Sequence, residues 1–118
     1  MSRMSEAGSV SYLDLDGLMA RMRGNAKIIK VLLTTFLGEA QVDQLAQEIE
    51  SGDKVAASHT AHAIKGVAGN LSLTSLYEAS LKLESLLKAD GNVEEFFSGY
   101  KEIYAKTRQS VEDTLKTL

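Results

Sequence analysis

Apolar residues recur at intervals of three and four along almost the whole chain, the spacing that is typical of amphipathic α-helices. The pattern predicts five helical blocks joined by short polar connections. They run over 13–22, about 26–49, about 54–71, from a cap at Thr74 or Ser75 to Gly91, and from Asn92 along an apolar stripe that reaches Leu115. The second block has a broader apolar face in its first half, so it needs an extra neighbour there. We expect the short first block to lie across that end.

Glycines and capping residues mark the ends of these blocks. The apolar stretches are followed by Gly24, Gly52 and Gly91, and glycine commonly ends a helix. The expected N-terminal caps are Asn25, Asp53, Ser75 with Glu78 as a capping box, and Asn92 with Glu95 as a second capping box. Four long helices with short connections fold most simply as an up-down bundle. We therefore predict an all-α fold, an antiparallel up-down four-helix bundle with a short additional N-terminal helix. The domain covers residues 11–118 and follows a flexible tail over 1–10.

Composition and charge exclude several function classes. The 118 residues include no proline and no cysteine, so the chain has neither a disulfide framework nor a thiol site. The net charge is -3, and the basic residues are scattered rather than gathered on a face that would neutralise phosphates of a nucleic acid. No apolar run is long enough to span a bilayer, and the N-terminus lacks the apolar stretch of a signal peptide. We expect a monomeric cytoplasmic protein that binds neither nucleic acid nor membrane.

The stretch AHAIKGVAGN, residues 61–70, combines a histidine, a lysine and two glycines in the third block. At 100° per residue, Gly66 and Gly69 fall within about 40° of His62, and Lys65 lies about 60° to the other side. The opposite arc carries the residues expected in the core: Ala57, Thr60, Ile64, Val67, Ala68 and Leu71. His62 is therefore predicted to point away from the interior of the bundle, unlike a hydrogen-bonded core histidine.

This outward face has a chemical interpretation. A mid-helix glycine is less favourable than alanine by roughly 1 kcal/mol, yet Gly66 and Gly69 clear side chains from the surface beside His62, so that another protein can approach closely. A neutral imidazole is a competent nucleophile near pH 7, and the ammonium of Lys65 would offset the charge of a phosphoryl group on the ring. The sequence contains no nucleotide-binding loop and no acidic cluster positioned to hold magnesium. We predict a chain that carries a phosphoryl group but cannot take one from ATP unaided.

The pattern His62-x-x-Lys65-Gly66, followed by Gly69-Asn70-Leu71, resembles the signature of the histidine-containing phosphotransfer (HPt) domains of two-component phosphorelays. The resemblance extends to the stretch LMARMRGNAKIIKVLLTTFLGEA, the hinge over 51–53 and the stretch ASLKLESLL. It covers nearly the whole chain except roughly the first ten residues. It implies an all-α phosphocarrier and signal-relay protein rather than an enzyme.

The resemblance also implies a role for each matching residue. His62 would accept a phosphoryl group from the aspartate of a receiver domain and pass it to another receiver. Lys65 would support the phosphoryl group, Gly66 and Gly69 would leave room for the receiver, and Asn70 would make only a local hydrogen bond. The implied partners are response-regulator receiver domains and a hybrid sensor kinase. The chain itself would need no cofactor, because magnesium is expected on the partner receiver domain.

Four further residues lie near the motif or in the next helix. Glu84 lies at the edge of an apolar stripe, where the family can hold a polar side chain that orients the imidazole through its other nitrogen; the alternative is a solvated glutamate. Ser72 stands where many members have a small residue, often glycine, and this departure concerns only the end of the helix. Ser58 shares the arc of His62, and His59 flanks it. A His59–His62 metal pair would lack the further ligands that zinc needs.

The other conspicuous side chains have structural interpretations. We expect an aromatic stripe in the core, formed by Phe96, Phe97, Tyr100 and Tyr104, and solvated helix faces that carry Lys82, Lys88, Lys101 and Lys106.

Two function classes remain: a phosphorelay intermediate, and a receiver-binding scaffold or regulatory module with the same fold and no phosphotransfer. The presence of His62 and Lys65 favours the first class, because a scaffold needs neither. An α-helical DNA-binding domain is disfavoured by the acidity and by the lack of an arginine-rich recognition helix.

Overall fold

The computed structural model describes residues 12–118, and this part of the chain is built from six α-helices without a β-strand. The helices are α1 (Leu15–Arg21), α2 (Ala26–Gly38), α3 (Gln41–Glu50), α4 (Lys54–Asn70), α5 (Thr74–Lys88) and α6 (Val93–Thr117). The predicted all-α class is confirmed. The predicted tail, residues 1–10, lies outside the described residues. Within residues 12–118, no helix combines the length and the apolar character that crossing a bilayer requires.

The single helix predicted over 26–49 is wrong, because the structure divides this segment into α2 and α3. Helix α2 ends at Gly38, and Glu39 adopts an extended conformation. Arg108 of α6 donates a hydrogen bond of 2.8 Å to the carbonyl oxygen of Leu37. The last carbonyl groups of a helix have no partner within the helix, so this side chain from a distant part of the chain stabilises the break.

Two of the four predicted N-terminal caps form as expected. The side chains of Asn25 and Asp53 accept hydrogen bonds from backbone N–H groups of the first turns of α2 and α4. The two capping boxes are wrong. The cap of helix α5 is Leu73, one residue before Thr74 and two before Ser75, so Ser75 already lies in the first turn. Asn92 does occupy the cap position of α6, but its side chain makes no capping hydrogen bond.

The ends of α4 and α5 depend on non-glycine residues in the left-handed region. Ser72 has a φ of 57° after α4, and Asp90 has a φ of 59° after α5. Gly91 was expected to end the fourth block, and its N–H does donate to the carbonyl oxygen of Leu86 at 2.9 Å. The residue in the left-handed conformation, however, is Asp90, one position before Gly91. The carbonyl oxygen of Ser72 also accepts a 2.9 Å hydrogen bond from the backbone N–H of Asp14, which attaches the segment before α1 to this turn.

The core lies between α4, α5 and α6, with α2 and α3 packed against them. The predicted core face of α4 is buried except for Val67, which is half-buried. Three aromatic side chains of the predicted stripe are buried, namely Phe97, Tyr100 and Tyr104, whereas Phe96 lies at the edge. The hydroxyl groups of Ser80 and Tyr100 hydrogen-bond to each other at 2.8 Å, so helices α5 and α6 are joined by a buried polar contact as well as by apolar packing.

Helices α4 and α5 are antiparallel neighbours, and their pairing positions the functional site. Near the turn that joins them, Gly69 faces the ring of Tyr77. In the middle, His62 contacts Glu84, and at the far end Lys54 forms an ion pair with Asp90. The register therefore brings the centre of one helix against the last third of the other. The antiparallel up-down order of all four main helical segments remains a prediction.

Candidate functional site

His62 is the central residue of the 17-residue helix α4. Its side chain is 66% exposed, and it projects from the face opposite the buried residues of the same helix. The outward orientation expected from the helical projection is therefore present in the structure. One of the two ring nitrogens, Nδ1, is turned toward α5.

Glu84 of α5 joins the polar side chains of the site. Its Oε2 atom lies 3.1 Å from Nδ1 of His62 and 3.2 Å from Nζ of Lys88. Its Oε1 atom lies 3.0 Å from Nζ of Lys65. The side chain of Glu84 is only 9% exposed, so one nearly buried carboxylate contacts an imidazole and two ammonium groups. The alternative of a solvated glutamate is wrong for this position.

The electrostatics of the cluster keep this carboxylate ionised. Burial alone would raise the pKa of Glu84, because it disfavours the charged form. Hydrogen bonds from Lys65, Lys88 and His62, together with the charge of Lys65, instead lower this pKa from 4.5 to about 2. An ionised carboxylate can only accept hydrogen bonds. Nδ1 of His62 must therefore be the donor, and in the neutral ring the lone pair is on Nε2, the other nitrogen.

The two glycines differ in their surroundings. A Cβ atom added to Gly66 would meet no neighbouring atom within 4 Å, so the surface one turn after His62 is open. A Cβ atom added to Gly69 would lie 3.4 Å from two ring atoms of Tyr77. The space beside Gly69 is therefore partly filled by α5. Clearance for a receiver domain stays a prediction for both positions, and Gly66 is the one whose surface is unobstructed.

The remaining predicted residues lie around this centre. Ser58 and His59 line the same open groove of about 500 Å³ as His62, between α4 and α5. Asn70 is exposed at the last position of α4, about 12 Å along the helix axis from His62. The roles expected for these three residues stay predictions. Among residues 12–118, no three histidine, aspartate or glutamate side chains are grouped so that they could hold a metal ion.

Lys88 is the residue of the site that the sequence interpretation missed. It lies on a solvated helix face as expected, with a side chain that is 67% exposed, but its ammonium group also contacts the carboxylate that contacts His62. The signal was available, because Lys88 follows Glu84 by four residues, and such pairs are neighbours on a helix. The other three lysines of that group also lie at the surface but away from this site: Lys82 and Lys101 lie over the rings of Phe96 and Phe97, and Lys106 pairs with Glu102.

Comparison with known proteins relates this geometry to a family. A search of curated proteins and a search of solved structures gave no match. The family model described as Hpt domain matches residues 31–117, from within α2 to the end of α6. The matched segment contains Glu84 with its three contacting side chains, His62 among them, and most of the core. This coverage, well over half of the sequence, shows that the chain belongs to the Hpt domain family of phosphorelay proteins.

Proposed function

We propose that this chain is a phosphorelay intermediate that accepts a phosphoryl group on Nε2 of His62 and passes it on. Domains of this family act in histidine phosphotransfer, as phosphocarrier modules rather than as enzymes. The observation that carries the assignment to His62 is its hydrogen bond to Glu84. That bond holds the proton on Nδ1 and leaves the exposed side of the ring with a free electron pair.

Acceptance begins with the lone pair of Nε2 of His62, which attacks the phosphorus atom of an aspartyl phosphate on a receiver domain. The Nε2–P bond forms, the P–O bond to the aspartate breaks, and the aspartate leaves as a carboxylate. The ring keeps its proton on Nδ1 and gains a positive charge. The carboxylate of Glu84 faces that charge at 3.1 Å and stabilises it. Lys65, on the same face of α4, supports the negative charge of the phosphoryl group.

Donation reverses these steps with a second receiver. An aspartate oxygen of that receiver attacks phosphorus, the Nε2–P bond breaks, and its electron pair returns to the ring. Because Nδ1 keeps its proton, His62 leaves as a neutral imidazole instead of an imidazolate anion. A neutral imidazole is the better leaving group, since no anion has to form. The contact with Glu84 therefore assists both directions of transfer.

The proposed function requires partner proteins that approach the surface around His62. The partners are response-regulator receiver domains and a hybrid sensor kinase, and the magnesium ion belongs to the receiver. The exposed surface over Gly66 and the groove that His59 lines leave space for a receiver to approach. We further propose that the chain acts as a cytoplasmic monomer, and that its main helical segments form an up-down bundle.

The direct test mixes the chain with a receiver domain phosphorylated on aspartate and follows acid-labile, base-stable label on the chain. His62→Gln should abolish labelling. His59→Gln is the matched control, because it removes an exposed histidine of the same helix and groove, and it should still be labelled. Labelling that persists in His62→Gln would contradict the carrier assignment. Tight receiver binding without any labelling would instead favour the scaffold alternative.

A further inference from the structure

Glu84 holds two lysines, and the two differ in how they are placed. Lys65 approaches from α4, binds Oε1, and has a side chain that is only 20% exposed. Lys88 approaches from one turn further along α5, binds Oε2, and is 67% exposed. Oε2 is also the atom that accepts the hydrogen bond from His62. Each carboxylate oxygen therefore has one ammonium partner, and only Lys88 shares its oxygen with the imidazole.

This arrangement raises a difficulty for a phosphoryl group on His62. The cation expected to support that group, Lys65, is already bound to Glu84 in the unphosphorylated protein. If Lys65 turned toward the phosphoryl group and nothing else paired with Glu84, an almost buried carboxylate would lose its compensating charge. An unpaired buried charge is strongly unfavourable. The ammonium group of Lys65 would then interact partly with the carboxylate of Glu84 and partly with the phosphoryl group.

We propose that Lys88 is a positioning residue that holds Glu84 in place and thereby frees Lys65 for the phosphoryl group. Lys88 is on the same helix as Glu84, so its contact with Oε2 does not depend on how α4 or the phosphoryl group moves. When Lys65 leaves Oε1, the ion pair with Lys88 remains, and the carboxylate keeps its hydrogen bond to Nδ1 of His62. No covalent bond changes in this exchange.

The inference rests on the proposed function, and it differs from two simpler roles for Lys88. In the first, Lys88 forms only a surface ion pair within α5 and has no effect on transfer. In the second, Lys88 contacts the phosphoryl group itself and acts independently of Lys65. A positioning role through Lys65 differs from both, because removal of Lys88 then matters only while Lys65 is present.

A double-mutant cycle separates these cases. Wild type, Lys65→Ala, Lys88→Ala and the double variant are phosphorylated with phosphoramidate and, separately, by a phosphorylated receiver domain, and the labelling rate of His62 is measured. We expect Lys88→Ala to slow labelling by about fivefold when Lys65 is present and by less than about twofold when it is absent. Equal losses in both backgrounds, or no loss in either, would overturn the proposal.

Further variants distinguish the loss of the Lys88 charge from a general loss of folding. Lys82→Ala removes another exposed lysine of α5 that lies over Phe96, and it should label at the wild-type rate. Lys88→Arg should restore labelling because it keeps the charge, whereas Lys88→Gln should not. If both Lys88→Arg and Lys88→Gln labelled equally slowly, charge pairing with Glu84 would not be the cause. Failure of the wild type to become labelled would instead overturn the proposed function, and the role of Lys88 with it.

Discussion

Replacement of Glu84 with glutamine removes the charge of the buried carboxylate but keeps nearly the same side-chain shape. The folded protein lowers the pKa of Glu84 from 4.5 to about 2, so the unfolded chain binds the proton more tightly than the folded chain does. The resulting stabilisation is fully present above pH 4.5 and is lost as the pH falls from 4.5 toward 2. The destabilisation caused by Glu84→Gln should therefore be largest near neutral pH and shrink in acid.

The magnitude follows from the same shift in pKa. A fall from 4.5 to about 2 corresponds to about 3 kcal/mol, at 1.36 kcal/mol for each pH unit. Solvent screening reduces this value, because two of the three partners, His62 and Lys88, are about two-thirds exposed. We expect Glu84→Gln to lower the free energy of unfolding by about 1–2 kcal/mol at pH 7.

Urea unfolding followed by circular dichroism at pH 7, 5.5, 4 and 3 measures this difference. The matched control is Glu78→Gln, which makes the same change of charge at an exposed position of the same helix and should change stability little at every pH. If the difference between wild type and Glu84→Gln stayed constant from pH 7 to pH 3, the reasoning would be refuted. The carboxylate would then not be stabilised by its three partners.

Three further predictions concern other parts of the chain. Gly66→Leu and Gly99→Leu should each stabilise their helices by about 1 kcal/mol. Only Gly66→Leu should weaken receiver binding in titration calorimetry, by about fivefold or more. Equal binding by both variants would contradict the idea that Gly66 leaves room for the receiver. Ser72→Gly should raise the free energy of unfolding by about 0.5–1 kcal/mol because it relieves a left-handed conformation. A loss of stability in thermal unfolding would contradict it. Ser80→Ala should lower the free energy of unfolding in urea by about 1–3 kcal/mol, since it leaves the hydroxyl group of Tyr100 buried without its partner. Adding Tyr100→Phe should recover most of that loss, and no recovery would argue against the hydrogen bond as its cause.

The all-α class and the outward face of α4 could be predicted from the sequence, because both follow from a local periodicity. The residues on opposite sides of α4 are fixed by the 3.6-residue repeat, whichever neighbours the helix acquires. The break between α2 and α3 could not be found in this way. The group that pairs with the carbonyl of Leu37 is Arg108, which lies 71 residues away. Only the packing of α6 brings the two together.

The candidate site likewise has one part that follows from local periodicity and another that depends on the packing between helices. The sequence placed His62, Lys65 and Gly66 on one face, because all three belong to one helix. The position of Glu84 at the edge of an apolar stripe was also visible, but whether its carboxylate turns toward α4 or toward water depends on the register of α4 and α5. That register is set by contacts along the whole length of the pair, and Lys88 joins the site as a consequence of it.

The position of His62 at the middle of α4 limits where electrostatic help can originate. The partial charges of a helix macrodipole act mainly within the first and last turns, and His62 lies two turns from both ends. Backbone N–H groups at a helix N-terminus, which bind phosphate in many proteins, are therefore out of reach. Within this chain, the phosphoryl group proposed for this residue would therefore depend on side-chain cations rather than on the ends of α4, so its lifetime should be tunable by single lysine substitutions without rebuilding the backbone.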